Sequence, residues 1–378
     1  MRLIFDTHLD LAWNAVGWDR DLTRPVAEIN LAEAEMRDHA ARGHATVSLP
    51  EMRRGGVAVC LATVLARVNP QCRRKGDGAN LPERPGGCFA QISPVPFSLD
   101  HAHPAAAHAA ARGQLAYYRL LEAQGEVTLL HTAADLASHW QRWQQDPADD
   151  LPVGIILAME GADPIVSPEQ AEAWWADGLR SLSLAHYGRG RYAVGTGRSG
   201  PLAAEGRRLL MEMDRLGMVL DVTHLAEPGF SEALGLFRGP VMASHNNCRA
   251  LVPGDRQFSD EQIRRLIERD AVIGVALDAW MLYPGWEIGR TSREVVGIEA
   301  VGDHVDHICQ LAGDCRHVGI GSDLDGGYGT EQTPTGLDTI ADLQKLAEVL
   351  AGRGYSEENV DAVFHGNWLR FFRRHLPP

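Results

Sequence analysis

No apolar run in the sequence approaches the roughly 18 residues needed to cross a bilayer, so no spanning helix and no membrane partner are expected. An excess of positive charge is also missing. Lys and Arg total 36 against 50 Asp and Glu, a formal net charge of −14. A phosphate backbone needs a cationic face, so nucleic acid is excluded as a partner. The six cysteines (Cys60, Cys72, Cys88, Cys248, Cys309 and Cys315) contain no C-x-x-C pair. In a chain this long they read as reduced thiols and not as a disulfide framework. Met1-Arg2-Leu3-Ile4-Phe5 runs directly into Asp6-Thr7-His8 without a basic stretch followed by an apolar one. No signal peptide is read there, and a cytoplasmic location is expected. Internal repeats and low-complexity tracts are absent as well. What remains is an ordinary globular composition, 45% hydrophobic and 23% charged, with enough apolar surface to offset ordering entropy.

Eight short runs rich in Val, Ile, Leu and Ala end in or near a polar residue: 2–8, 57–65, 153–160, 178–186, 217–224, 240–245, 271–278 and 316–323. Near-continuous apolar runs of this length suit strands buried on both faces, as in a parallel sheet. Helical spacing fills the gaps, over Ile29 to His44, Leu202 to Leu216, Asp260 to Arg269, Ala300 to Leu311 and Leu337 to Leu350. Ser259-Asp260-Glu261 supplies a cap and an acidic first turn. At about 150 residues per domain, 378 residues would make two or three domains, but one large barrel fits the same length. Eight alternating units close most economically into a (β/α)8 barrel of α/β class. Residues 1–378 are therefore read as one catalytic barrel domain. An elaborated connection at about 67–151 lies over its mouth, with a Gly/Pro/Arg-rich loop (Asn69 to Pro96) and a helix (His103 to Gln124). A C-terminal helix follows at about 356–374, with apolar Val360, Val363, Phe364, Trp368, Phe371 and Phe372.

The strand ends carry the chemistry. In an α/β barrel the C-terminal ends of the strands form the catalytic rim. His8-x-Asp10 follows the first run, and i, i+2 residues on a strand share a face, so both can reach one ion. Glu160 follows an apolar run, where an unpaired buried carboxylate would be costly. His224 and His245 end the fifth and sixth runs. Each alone is more often structural than ligating, but together they converge on the barrel axis. Nitrogen and oxygen donors without Cys favour Zn²⁺, or Mn²⁺ or Co²⁺. Five such ligands exceed one tetrahedral site, and a carboxylate shared between two metals fits better. Asp323, in Gly321-Ser322-Asp323-Leu324-Asp325-Gly326, reads as a proton shuttle or a turn carboxylate. Asp325 is the better candidate for the turn role, and no phosphate-loop pattern follows these glycines. His101-Ala102-His103 imitates a metal motif in a loop, His304 and His307 read as a solvated helix face, and Trp174-Trp175 as packing.

Several ordered motifs resemble the membrane dipeptidase (renal dipeptidase) family of zinc peptidases. They are Asp6-Thr7-His8-Leu9-Asp10, Met159-Glu160-Gly161, Asp221-Val222-Thr223-His224, Ser244-His245-Asn246-Asn247 and Gly319-Ile320-Gly321-Ser322-Asp323. Arg256-Gln257-Phe258-Ser259-Asp260 and His365-Gly366-Asn367-Trp368-Leu369-Arg370 extend the resemblance, which runs from residue 4 to about 372. The resemblance implies a (β/α)8 barrel with two Zn²⁺ and a dipeptidase cleaving small unprotected dipeptides. Dipeptides with a C-terminal D-residue are included, and hydrolysis of β-lactam amides is a side activity. By motif, His8 and Asp10 would bind one zinc, Glu160 would bridge both, and His224 and His245 would complete the second. A metal-bridging hydroxide would attack the peptide carbonyl, Asp323 would carry its proton to the leaving amine, and His186 would stabilise the oxyanion. Arg256 would hold the dipeptide carboxylate, with Arg249 as the alternative. A homodimer is implied by the resemblance alone.

Two departures stand out. Leu9 replaces a polar residue between the first ligands, and the segment Tyr187 to Gly197 carries Arg189 and Arg191 where relatives carry Asn and Trp. These arginines either favour an anionic substrate side chain or form a solvated loop. The rival enzyme is another binuclear metal-dependent amidohydrolase acting on cyclic amides, lactones or phosphoesters. Such barrels typically open with H-x-H and bridge metals with a carboxylated lysine, whereas here no lysine ends a predicted strand. A catalytically silent barrel used for binding is the reading from a different class.

Overall fold

The computed structural model describes residues 1–69, 99–145 and 150–378. The loop read over Asn69 to Pro96 lies almost wholly outside the described residues. All eight apolar runs form strands: β1 (Ile4–Leu9), β2 (Val57–Leu65), β3 (Val153–Glu160), β4 (Leu179–Ser183), β5 (Val219–Asp221), β6 (Val241–Met242), β7 (Ile273–Val275) and β8 (Val318–Ile320). Each is buried along its full length, as a parallel strand covered on both faces must be. They pair in parallel in the order β7-β8-β1-β2-β3-β4-β5-β6. A single parallel bridge, Ala243 to Ile273, joins β6 to β7 and brings the sheet round into a nearly closed barrel. The β2–β3 ladder is the longest, running from Val59 opposite Gly154 to Leu65 opposite Glu160.

Inside the barrel, below the mouth, Thr7 Oγ1 donates to the carbonyls of Ser244 (2.8 Å) and Ile320 (3.1 Å). Gly274 and Gly321 flank that Ser244 carbonyl. A Cβ on either would stand 2.0 or 1.8 Å from its oxygen, so only glycine permits the approach of β6, β7 and β8.

Helices cover the outside. Ala204–Leu216 buries Leu209, Leu210 and Met213 and ends at Gly217 in the left-handed conformation (φ 75°). Asp260–Glu268 starts at the Ser259 cap and acidic first turn expected from its sequence, and Gln262 completes a capping box with Ser259. Pro104–Ala123 lies against the barrel, where the Tyr118 hydroxyl donates to Thr63 O at 2.7 Å and accepts from Ala12 N at 3.0 Å. At the C-terminus, Glu357–Asp361 and Asn367–His375 are joined by a π-helical turn over Ala362–Gly366, and all six apolar residues noted above are buried. Trp368 Nε1 donates to Ile320 O and Asn367 Nδ2 to Val318 O, fastening this segment to β8.

Two helical expectations need correction. The helix read over Ile29 to His44 is Val26–Glu33 and stops there. The Glu33 carboxylate takes the Arg42 guanidinium (2.7 Å) and the Gly43 N–H (2.9 Å), which turns the following chain back on itself. Leu31 and Met36, apolar residues within the expected span, are 77% and 39% exposed. The segment Leu337 to Leu350 is a 3-10 turn over Ile340–Lys345 leading into α-helix Leu346–Gly352, because Asp342 caps Thr339 in a tight first turn.

Candidate metal centre and substrate cleft

The strand ends bring His8, Asp10, Glu160, His224, His245 and Asp323 together at the barrel mouth. Glu160 ends β3, whose interior is wholly apolar or small, and His8 is the last residue but one of β1, so both side chains stand at the rim. His224 and Asp323 lie just past β5 and β8 at positive φ, 66° and 59°. A non-glycine residue pays for that backbone, and here it swings each side chain back over the axis. His8 Nε2 stands 3.8 Å from Asp10 Oδ1, 3.7 Å from Glu160 Oε2 and 3.7 Å from Asp323 Oδ1. On the other side, Glu160 Oε1 lies 3.1 Å from His224 Nε2 and 3.3 Å from His245 Nε2. The donors form three overlapping triads: His8/Asp10/Glu160, Glu160/His224/His245 and His8/His245/Asp323.

The far nitrogens of the rings are held from behind. Thr196 Oγ1 is 2.9 Å from His224 Nδ1, and Ser244 Oγ is 2.8 Å from His245 Nδ1. Thr63 Oγ1 donates to Asp10 Oδ1. Such partners fix ring orientation and leave Nε2 to face the centre. His8 Nε2 and Glu160 Oε1 are buried with no hydrogen-bond partner. Orphaned donors of this kind are costly unless a cation satisfies them. The electrostatics agree. Burial pushes Glu160 well above the usual carboxylate range, with Asp10 and Asp323 adding to it and His8 opposing. Burial likewise lifts Asp323 to about 7, with Asp10 adding to it against His8 and Arg256. Burial works against a charged His8, but the Glu160, Asp10 and Asp323 carboxylates overcome it and hold the ring at about 10. Buried carboxylates crowded at this spacing, with imidazoles and no thiolate, suit a divalent metal.

Around this cluster lie the remaining expected residues. His186 follows β4, its Nε2 3.8 Å from Glu160 Oε2, and burial together with Arg67 and Arg256 drives it well below its ordinary pKa. Arg256 is buried, donating from Nη1 to Asn246 Oδ1 (2.8 Å) and from Nη2 to His245 O (3.0 Å). Arg249 turns outward to Glu227 at 3.0 Å, so Arg256 is the guanidinium near the cluster. Asp325 takes the turn role, accepting from Thr46 N (2.8 Å), Thr46 Oγ1 (2.7 Å) and Val47 N (3.0 Å).

Tyr187, at the start of the segment singled out in the sequence, packs edge-on to His186 and His224. Other residues were not legible beforehand: Arg67 Nη1 lies 3.3 Å from His186 Nδ1, and buried Asp278, pushed up to about 6 by burial, accepts from Gln332. Only the polar end of the run 271–278 hinted at Asp278. His304 and His307 are not a solvated face. His304 is buried, its Nδ1 accepting from Cys248 N (3.1 Å), and His307 meets Asp260 at 2.7 Å, because this helix face packs on the 248–260 segment. His101 pairs in a two-residue sheet with Val68, and neither it nor His103 joins a donor triad among the described residues. Trp174 is buried beneath Arg112, as packing. Arg191 pairs with Glu205 at 2.7 Å, so of the two arginines read as either substrate-facing or solvated it is engaged elsewhere. Lys345 pairs with Asp342, so no described lysine reaches the cluster to bridge metals.

The profile of the membrane dipeptidase family (peptidase family M19) matches residues 2–375. The dipeptidase aclJ of Aspergillus oryzae is 32% identical over 223 residues, 58% of this chain and 50% of that protein. An uncharacterized protein of Klebsiella pneumoniae is 28% identical over 271 residues, 69% of this chain and 94% of that protein. The chain spans about half the length of the A. oryzae and Claviceps purpurea dipeptidases it matches. Among solved structures, a metallo peptidase from Rhodobacter sphaeroides, liganded with a phosphinate mimic of the dipeptide L-Ala-D-Ala, is similar with a TM-score of 0.72 at 26% identity, over 99% of both chains. A dipeptidase, also described as a metallo peptidase, is similar with a TM-score of 0.74 at 25% identity over 100% of this chain and 99% of that one. A family profile matched from end to end, on a barrel whose rim gathers this donor set, identifies the chain as a member of the membrane dipeptidase family, peptidase family M19.

Proposed function

We propose that the chain is a zinc-dependent dipeptidase that hydrolyses the peptide bond of small unprotected dipeptides, including those with a C-terminal D-residue. One observation carries this reading. The two oxygens of Glu160 face different imidazoles, one of them has no hydrogen-bond partner, and the carboxylate belongs to two donor triads. On this reading His8 and Asp10 would hold one Zn²⁺ and His224 and His245 a second, with Glu160 available to both; Mn²⁺ or Co²⁺ would suit the same donors. Bound there, the ions would polarise the scissile carbonyl and lower the pKa of water.

The chain's own residues do the rest. As the water oxygen bonds to the carbonyl carbon, Asp323 accepts the water proton and delivers it to the amine nitrogen as the C–N bond breaks. The Asp323 carboxylate stands 3.7 Å from His8 at the cluster, within reach both of that water and of the leaving amine. His186 is neutral, since burial drives its pKa well down. Its Nδ1 faces Arg67, which can only donate, so Nδ1 accepts and the ring proton sits on Nε2. That N–H points to the centre and donates to the developing oxyanion. Arg256 spends two N–H groups on Asn246 and His245 and keeps the others for the dipeptide carboxylate.

The dipeptide mimic bound by the R. sphaeroides relative supports the substrate class. Residues 1–378 form one catalytic domain on this reading, and the bonds from Tyr118 to Thr63 and Ala12 support a 67–151 connection seated at the mouth. The free thiols of Cys60, Cys248, Cys309 and Cys315 support a cytoplasmic location, and no described helix is long and apolar enough to cross a membrane. A homodimer completes the reading and is checked by solution mass. The deciding experiment is metal analysis after zinc supplementation, together with hydrolysis of an L,L, L,D and D,L dipeptide library on the same sample. Two ions per chain and dipeptide cleavage are expected; protein that holds no metal and cleaves no dipeptide overturns the reading.

A further inference from the structure

Beside the imidazole cluster the barrel mouth opens into a cleft of about 660 Å³. It begins at His186 and Tyr187 and continues past Arg67, Arg189 and Arg198. Two carboxylates also line it, and both are engaged. Asp100 takes the Arg67 guanidinium at 2.7 Å and the Asn69 amide at 2.9 Å. Asp163 accepts the backbone N–H groups of Val68 (2.7 Å) and Arg191 (2.8 Å). Arg189 and Arg198 differ. Both are exposed, and neither side chain has a hydrogen bond or ion pair with any described residue. In a chain with 50 acidic and 36 basic residues, two guanidinium groups left without a partner on one cleft are conspicuous.

The segment that carries them is ordered and tied to the centre. Tyr187 bridges to Thr196 and Arg189 to Val194. Gly188 N donates to Thr196 O at 2.8 Å and Gly195 N to Gly188 O at 2.7 Å. Thr196 in turn holds the His224 ring. One small β-loop therefore braces a candidate ligand and presents Arg189 to the cleft. A planar guanidinium matches a carboxylate and gains more from it than from a neutral group.

We propose that this cleft is a subsite for an anionic substrate side chain, in which Arg189 and Arg198 receive the second carboxylate of a dipeptide containing an aspartyl or glutamyl residue. The proposal rests on the dipeptidase reading and narrows its substrate class. A dipeptide extends only about 7 Å, so either of its side chains can reach a cleft that begins at His186. The test therefore carries the acidic residue at each position in turn.

The experiment measures kcat/KM of the zinc-loaded full chain for Ala-Ala, Asp-Ala and Ala-Asp, each in both L,L and L,D form. It compares wild type with the Arg189→Gln/Arg198→Gln and Arg189→Lys/Arg198→Lys pairs. In wild type one acidic dipeptide is favoured over Ala-Ala by about tenfold or more. The ratio falls to near one in the Gln pair, is partly kept in the Lys pair, and shrinks at about 0.5 M salt. Binding of reduced-amide (CH2–NH) analogues of the same dipeptides, read by calorimetry, gives the selectivity without turnover. Hydrolysis with equal ratios in wild type, or a ratio untouched by the Gln pair, overturns the subsite and leaves the dipeptidase reading standing. No hydrolysis of any dipeptide, with the acidic analogue still bound more tightly, overturns the dipeptidase reading and keeps the charge selectivity. No hydrolysis and no selectivity in binding removes both.

Discussion

Two buried ionic clusters lie within a few residues of each other in sequence and behave in opposite ways. The first is the rim cluster of His8, Asp10, Glu160, His224, His245 and Asp323. The second is Arg20, Glu33, Arg42 and Asp325, beneath the loop that carries Asp323. In the second, Arg20 meets Glu33 at 2.9 Å and Asp325 at 3.4 Å, and Arg42 meets Glu33 at 2.7 Å. The remaining lone pairs of Glu33 and Asp325 go to Gly43 N, Thr46 and Val47. Glu33 sits below the usual carboxylate range despite burial, because Arg20 pulls it down, whereas burial still lifts Asp325 against Arg20 and Thr46, and every oxygen of the pair has a partner. In the first cluster burial pushes Glu160 and Asp323 up and two polar atoms stay orphaned. Burial of charge alone therefore does not mark a functional site. What marks it is charge that the protein itself leaves unanswered.

Three substitutions can break or sharpen that contrast. Glu160→Gln in the open cluster is expected to lower kcat/KM by about 10³-fold or more and to reduce bound metal, since it removes the shared ligand. Its metal-free fold should be no less stable than wild type, because an uncompensated buried carboxylate is gone. Glu33→Gln in the closed cluster should do the reverse. It removes the carboxylate that Arg20 and Arg42 share, leaving Asp325 and Asp38 as their remaining ion-pair partners, and costs about 3 kcal/mol in urea unfolding, while the folded fraction keeps its metal. A Glu33 variant of wild-type stability would show that the second network is not balanced by its own charges. Asp323→Asn should retain nearly full metal content while turnover drops by roughly 10²-fold, as expected of a proton carrier. Loss of metal instead would make Asp323 a ligand.

The smallest effect concerns a buried group outside both clusters. Burial lowers His304 to about 4 from its ordinary 6.5, so the unfolded chain binds the proton more readily than the folded one. The contribution of His304 to stability is full above about 6.5 and is lost as pH falls toward about 4, with a slope of at most about 1.4 kcal/mol per pH unit. His304→Asn, which keeps an acceptor for Cys248 N, should flatten the stability profile in that window. An unchanged profile in thermal melts across pH 4 to 7 would assign the acid sensitivity to other histidines.

How much of this was legible in the sequence follows from what sets each feature. The strands were legible because burial on both faces leaves an unbroken apolar signature, and each ends where the polar rim begins, as Val153–Glu160 shows. The ligand candidates were legible for the same reason, since His8, Glu160, His224 and His245 each stand at such an end. The helix expected over Ile29 to His44 failed because Glu33 bonds Arg42 and Gly43, a contact decided by a turn and not by spacing. Thr63, Ser244 and Arg67 were missed because their roles are set across strands: Thr63 reaches Asp10 from β2, and Arg67 reaches His186 from beyond it. No local pattern distinguishes such a residue from any other strand-end polar group.

The two glycines that flank the Ser244 carbonyl carry a further consequence. His245, the next residue, takes its height above the barrel floor from how deeply that carbonyl can settle between Gly274 and Gly321. One added methyl at either place would jack up the imidazole without touching any metal donor. The spacing of the donor atoms at this centre is thus calibrated from the storey below, by residues that have no side chain at all.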